Sequence, residues 1–209
     1  MYQLFYSPGA CSMAVHVVMN ETGQACEFIN ASLSEGKNRD PEFLKLNPRG
    51  QVPLLVEDGK PMREGAAMIT YLCDKHNVDL LPKSGWERAK ALEWLAYANS
   101  SLHPAYGRLF WLNRMVKDEA VKSELITAGI EQLNTMWADI EEALKDSPYL
   151  CGENCSAGDV LITVIANWAQ WLPQQPKIGA RAKGLFARVI SRPSYQKALA
   201  VELVEYKAA

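Results

Sequence analysis

The first third of the chain alternates two hydrophobic periods. Short runs rich in β-branched and aromatic residues at 3–6, 27–31 and 52–56 predict strands, and stretches with apolar residues three and four apart at 12–22, 41–46 and 65–76 predict helices. Strands alternating with helices are the pattern of an α/β domain. Turn formers and a proline interrupt it at Asn77-Val78-Asp79-Leu80-Leu81-Pro82-Lys83-Ser84. Everything beyond reads as helix, with amphipathic stretches at 86–114, 118–145, 157–171, 178–190 and 194–207 that together predict a helical bundle. Ser156 and Asp159 form a capping signal ahead of the apolar run 160–168, which is therefore expected to be a central, buried helix. The expected organisation is a first domain over 1–77 and an all-helical second domain over 85–209.

Composition narrows the function. The 209 residues are 48% hydrophobic and 22% charged, ordinary for a globular protein, with enough chain for one large domain or two small ones. A net charge of -2 without blocks of like charge gives no footprint for nucleic acid or an anionic membrane surface. No run approaches the ~18 apolar residues of a membrane span, and no basic leader precedes an apolar stretch, so a cytoplasmic protein is expected. Five scattered cysteines, Cys11, Cys26, Cys73, Cys151 and Cys155, suit reduced thiols rather than a disulfide framework. Cys151 and Cys155 are four apart, but no second Cys or His pair completes a tetrahedral zinc set, and no metal is expected.

Chemistry concentrates around Asn47-Pro48-Arg49-Gly50-Gln51-Val52-Pro53-Leu54-Leu55 and the Glu64-Gly65-Ala66 that follows. Pro53 cannot donate to a strand ladder, which places it at a sheet edge or in a special turn. An edge there would leave the Val52 backbone free to pair with a peptide ligand. Glu64 opens the next helix, where unpaired N–H groups and the positive end of the macrodipole hold a carboxylate. Together these suit a small acidic peptide. Cys11 follows a strand and a turn formed by Pro8 and Gly9, so it is expected at a helix N-terminus, where a thiolate is favoured. The alternative is a small buried residue.

Ser7-Pro8-Gly9-Ala10-Cys11-Ser12 after a strand ending in Phe5-Tyr6, Gly-Gln-Val-Pro at 50–53, the Glu64-Gly65 pair and the capping box at Ser156 together resemble the glutathione transferase superfamily, and most closely its bacterial beta class. The resemblance covers essentially the whole chain. It implies a thioredoxin-like domain followed by an all-helical one, glutathione as co-substrate and a homodimer. It further implies a cis bond before Pro53, backbone pairing of Val52 with the cysteinyl part of glutathione, and the γ-glutamyl end held by Glu64 with the Gly65 and Ala66 amides; Gln51, in the same motif, joins the binding set. It carries to Cys11 both polarisation of the glutathione thiol and mixed-disulfide formation, and to His103 a place at the glutathione sulfur.

Tyr6 and Ser12 are further candidates for a sulfur hydrogen bond; a packing role suits Tyr6 and a helix-start role Ser12. On the helix that carries His103, Tyr106 and Phe110 lie three and seven residues on and, with Trp168, could wall an apolar electrophile pocket. The histidine, Trp168 and Trp171 could equally be core. Relative to the family pattern, Ala96 and Ser101 replace an asparagine and an acidic residue; Ser100 keeps a hydroxyl, and Lys37 is the nearest counterpart of a glutathione-binding lysine. His16 lies five residues past Cys11, about 140° around the helix and pointing away from the thiol, and it and His76 receive no role. The expected function is conjugation of glutathione to an electrophilic, largely apolar substrate, with thiol-disulfide exchange through Cys11 as a further capacity. A glutathione-dependent disulfide reductase and a non-catalytic binding or regulatory protein of the same fold are the alternatives.

Overall fold

The computed structural model describes residues 1–209. Four strands, β1 (Tyr2–Tyr6), β2 (Cys26–Asn30), β3 (Leu54–Glu57) and β4 (Lys60–Met62), form one sheet in the order β2-β1-β3-β4. β2 runs parallel to β1, with Tyr2 opposite Cys26 and Tyr6 opposite Asn30. β3 is antiparallel to β1 and β4 to β3. The crossover from β1 to β2 is α1 (Ser12–Glu21), and α2 (Pro41–Leu46) and α3 (Gly65–His76) flank β3 and β4 in sequence. Alternation along the strands divides the core: Phe5, Leu54 and Val56 pack with Phe43 of α2 and Ala31 on one face. α1 packs against α3 and against β1.

Of the two places expected for Pro53, a sheet edge or a special turn, the structure shows the turn. β3 begins at Leu54 rather than residue 52 and is an inner strand, pairing Leu54 with Phe5 on one side and Leu55 with Met62 on the other. Val52 and Pro53 precede the strand, so the Val52 backbone lies outside the ladder because of its position ahead of β3 and not because of a sheet edge. The edge belongs to β4, a three-residue strand that pattern reading missed, and Pro61 sits there, where a missing N–H is tolerated.

The chain divides into two compact units, one of Met1–Lys83 with Ser191–Glu205, the other of Ser84–Ile190 with Tyr206–Ala209. The helix expected at 194–207 is α9 (Pro193–Glu202), which packs on α1 in the first unit instead of extending the bundle. Polar contacts explain why. Arg192 Nε and Ser194 Oγ both donate to Glu21, at 2.9 and 2.5 Å, and Asn20 donates to the Ser194 carbonyl at 3.0 Å. At the far end of α9, Glu202 and His16 of α1 form a pair 2.9 Å apart with both side chains fully buried.

The helical unit comprises α4 (Gly85–Tyr97), α5 (His103–Met115), α6 (Glu119–Ala143), α7 (Ala157–Ala166) and α8 (Ala180–Ile190). Every residue of α7 is buried, and its capping box is complete, with Ser156 and Asp159 satisfying each other's backbone N–H groups. Gly158 lets α7 lie against α4, because a Cβ there would come within 2.8 Å of Trp94 Cβ. The single helix expected over 86–114 is interrupted by a π-helical turn at Ala98–Leu102. Pro104 supplies the reason: it has no N–H for the preceding turn and its ring crowds the carbonyl four residues back, so the ladder widens there. No helix is long and apolar enough to cross a membrane.

Candidate functional site

In the first unit the chemistry gathers at the turn between β1 and α1. Gly9 takes a left-handed conformation, φ 69°, as the turn requires. Ala10 N–H closes the turn on the Ser7 carbonyl at 3.0 Å. Ser12 Oγ accepts from Ser7 N–H at 3.1 Å and donates to Ser7 O at 3.2 Å. That hydroxyl is therefore engaged within the turn. Tyr6 is likewise buried at the end of β1 with its ring 5.8 Å from that of His16.

Cys11 stands at the N-cap of α1, as its position predicts, with its Sγ donating to the Val52 carbonyl oxygen at 3.9 Å. Two opposing influences act on its acidity. Enclosure of the sulfur pushes the thiol up to about 11, outweighing the amides of Cys11 and Ser12 that pull it down, and the charges of Glu202 and Glu64 add to the rise. The balance of these effects favours the protonated thiol, with the S–H directed at the Val52 carbonyl.

The loop 47–53 is held from outside by side chains that sequence reading passed over. Asn38 Nδ2 donates to Gly50 O and Asn47 Nδ2 to Gln51 O, each at 2.7 Å, while Arg63 reaches Asn47 Oδ1 at 3.0 Å and Leu46 O at 2.9 Å. Asn47, a turn former ahead of Pro48, was the one legible signal. The Val52–Pro53 bond is cis. Glu64 caps α3 at φ 70°, and the first helical bond runs from Met68 N–H to Glu64 O at 3.0 Å, which leaves the Gly65 and Ala66 amides outside the helix ladder. The exposed Glu64 carboxylate accepts from Arg49 Nη1 at 3.0 Å. Gln51 is exposed beside this loop, and Lys37 is paired with Glu35 at 2.6 Å on the surface.

The turn that bears Cys11 has a buried anchor that local sequence could not reveal. Glu202 Oε2 accepts from Gly9 N–H at 2.9 Å while its other oxygen engages His16 Nδ1. The His16 ring also stacks on Phe28, with centroids 3.8 Å apart. His16, given no role on the ground that it points away from Cys11, thus acts on the opposite side of the same turn.

In the helical unit, His103 opens α5 directly after the π turn. Its ring meets Trp168 edge-on at 5.0 Å, and Tyr106 and Phe110 lie 6.1 and 6.3 Å from the same indole. These four expected residues form one aromatic cluster, whereas Trp171 is 51% exposed and outside it. Tyr106 accepts from Trp137 Nε1 at 3.1 Å and is fully buried. Burial lowers the His103 pKa from its ordinary value, which favours the neutral imidazole. Ser100 returns its hydroxyl to Ala96 O at 2.6 Å within its own helix.

Comparison with known proteins shows the family. Residues 4–83 match the family model described as glutathione S-transferase, N-terminal domain. A glutathione S-transferase of Escherichia coli O157:H7 is 31% identical over 204 residues, covering 96% of this chain and 98% of that protein. Among solved structures, a beta-class glutathione S-transferase of Sphingomonas chungbukensis is 28% identical at a TM-score of 0.82, with 96% of this chain and 98% of that one covered. A sphingomonad glutathione S-transferase complexed with glutathione is 27% identical at a TM-score of 0.81, with 97% and 100% covered. The chain belongs to the glutathione S-transferase family.

Proposed function

We propose that the protein is a bacterial beta-class glutathione transferase, working in the cytoplasm as a homodimer, that conjugates glutathione to small electrophiles. The observation that carries this reading is the convergence, in one unit, of the Cys11 thiol on the Val52 carbonyl beside the cis-Pro53 loop. Glutathione's cysteinyl backbone pairs with the unladdered Val52. Its γ-glutamyl carboxylate takes the Gly65 and Ala66 amides at the start of α3, and its ammonium takes Glu64. Gln51 and Lys37 serve the glycyl end.

A free thiol titrating near ~8.5 is only about 3% ionised at pH 7. Cys11, whose enclosure favours the protonated thiol, turns its S–H from the long 3.9 Å contact with the Val52 carbonyl to the glutathione sulfur and stabilises the thiolate as the glutathione thiol proton leaves to solvent; the α1 dipole adds to this. The glutathione thiolate then attacks the electrophilic carbon, forming a C–S bond as the leaving group departs with its electron pair. His103, Tyr106, Phe110 and Trp168 supply an apolar surface for the electrophile, with neutral His103 as its polar point.

This reading ranks conjugation above thiol-disulfide exchange, since an exchange nucleophile must be a thiolate. A donor removed costs about 1–3 kcal/mol, so Cys11→Ala should lower kcat/KM for chlorodinitrobenzene roughly five- to 150-fold and leave a working enzyme. Complete loss would make Cys11 indispensable. Intact-protein mass spectrometry after glutathione disulfide treatment tests the other chemistry: a Cys11-dependent adduct would restore the disulfide reductase reading. Glu64→Ala should weaken glutathione binding by at least ~1.5 kcal/mol in calorimetry, and unchanged affinity would remove Glu64 from the site.

A further inference from the structure

Asn47, 1% exposed, sits where α2 ends and the loop to β3 begins. Its N–H donates to Phe43 O at 2.8 Å and its carbonyl accepts from Gly50 N–H at 2.9 Å, so its backbone closes both the helix and the turn. The side chain works in two directions. Oδ1 accepts from Arg63 Nε at 3.0 Å and from Arg49 N–H at 3.3 Å, while Nδ2 donates to Gln51 O at 2.7 Å. An arginine N–H needs an acceptor, which turns the amide oxygen toward Arg63 and leaves the nitrogen for Gln51. Arg63 is held in turn, because its Nη2 donates to Leu46 O at 2.9 Å.

This network fixes the direction of one backbone donor. The Gln51–Val52 peptide is trans, so its C=O and N–H point opposite ways. With Gln51 O turned in to the buried Asn47 amide, Val52 N–H is turned away from it. That N–H has no hydrogen-bond partner within the chain, whereas Val52 O accepts from Cys11 Sγ. Val52 itself is half-buried, which leaves its backbone within reach of a ligand.

We propose, resting on the glutathione reading, that Asn47 locked by Arg63 is a positioning residue: it sets the plane of the Gln51–Val52 peptide so that Val52 N–H faces the cysteinyl carbonyl of glutathione. Asparagine suits the place because it offers an acceptor and a donor at once. An aspartate would keep the acceptor for Arg63 but set a carboxylate oxygen against Gln51 O, and the peptide would turn to escape it. Arg63 carries the effect further. Its backbone leads directly into Glu64 and the Gly65 and Ala66 amides, so one guanidinium ties the cysteinyl contact to the γ-glutamyl contact at a fixed spacing. A peptide plane set in advance removes part of the ordering that glutathione would otherwise have to bring about.

Glutathione is titrated by calorimetry into wild type and Asn47→Asp, and conjugation of chlorodinitrobenzene is followed at varied glutathione. Asn47→Asp should raise the glutathione Kd and KM at least about fivefold while kcat at saturating glutathione stays within about threefold, the pattern of a contact made equally in the ground and transition states. A Kd within about twofold of wild type, or a loss carried by kcat alone, overturns the positioning role. Where Asn47→Asp does not melt cooperatively, Arg63→Lys replaces it, with a KM rise of about two- to threefold expected and an unchanged KM counting against the role. Amide hydrogen exchange read by NMR needs no variant: in the wild type, Val52 N–H should exchange freely without ligand and become protected in saturating glutathione. Protection before glutathione is added, or none after, overturns the assigned direction. In Asn47→Asp that gain should shrink, and an equal loss of protection at Gly50 N–H in the unliganded variant would mark a loosened loop and refute a specific orienting effect. A wild type that does not bind glutathione at all ends the glutathione reading, and this role with it; a wild type that binds beside an unaffected variant ends only the role of Asn47.

Discussion

Glu202 offers the sharpest test of how the Cys11 turn is built. Its carboxylate is buried, accepts from Gly9 N–H at 2.9 Å and pairs with His16 Nδ1 at 2.9 Å. Glu202→Ala leaves two enclosed polar groups without their partner and opens a void where the side chain stood. Orphaning one buried group costs about 1–3 kcal/mol, and removing one member of a buried pair typically about 3–5 kcal/mol. With a urea m-value near ~2 kcal/mol/M, the larger figure lowers the midpoint by roughly 1.5–2.5 M. Glu202→Gln keeps the volume and an acceptor for Gly9, so its loss should be less than half that of the alanine variant. Since Gly9 is two residues from Cys11, the KM for glutathione should rise in the alanine variant at a temperature where it remains folded. Equilibrium urea unfolding followed by far-UV circular dichroism measures the first effect. A Glu202→Ala midpoint within about 0.3 M of wild type, at equal m, would refute the anchoring role.

Three further outcomes follow from the same structure. Cys11, raised to about 11, should carry thiolate in only about one molecule in 10⁴ at pH 7; the 240 nm absorbance difference between wild type and Cys11→Ala, titrated without glutathione, should show no step below pH 9, and one below pH 8 would contradict the enclosure argument. Glu57 is held near 2 because, although burial opposes its charge, hydrogen bonds from Lys75, Tyr71 and Tyr2 outweigh it; its folded value is depressed, so its contribution is present above about 4.5 and lost as pH falls toward 2, and Glu57→Gln should flatten the acid arm of the stability curve in that window. Gly158→Ala forces a methyl to within 2.8 Å of Trp94 Cβ and 3.0 Å of Leu95 N, an overpacking cost of about 1–3 kcal/mol that should lower the melting temperature, whereas an unchanged melt would show that α4 and α7 can separate freely.

What the sequence determined by itself was whatever depends on neighbours along the chain. The periods of β1 and of the helices, the capping box at Ser156 and Asp159, the helix starts at Cys11 and Glu64, and the change of character near residue 80 are local signals, and the structure keeps them. The aromatic grouping of His103, Tyr106 and Phe110 was legible because residues three and four apart share a helix face. β4 escaped because Lys60-Pro61-Met62 is too short to show alternation and exists only by pairing with β3.

Tertiary structure decided the rest, for reasons of distance and burial. His16 and Glu202 are 186 positions apart, and no local pattern marks a carboxylate in a C-terminal helix as the partner of the Cys11 turn. The same contact is why Ser191–Glu205 joins the first unit and not the bundle its periodicity suggested. Cys11 makes the point most plainly: chain position sets the helix amides that favour its thiolate, but desolvation depends on everything packed round the sulfur in the folded protein and pushes the thiol the other way.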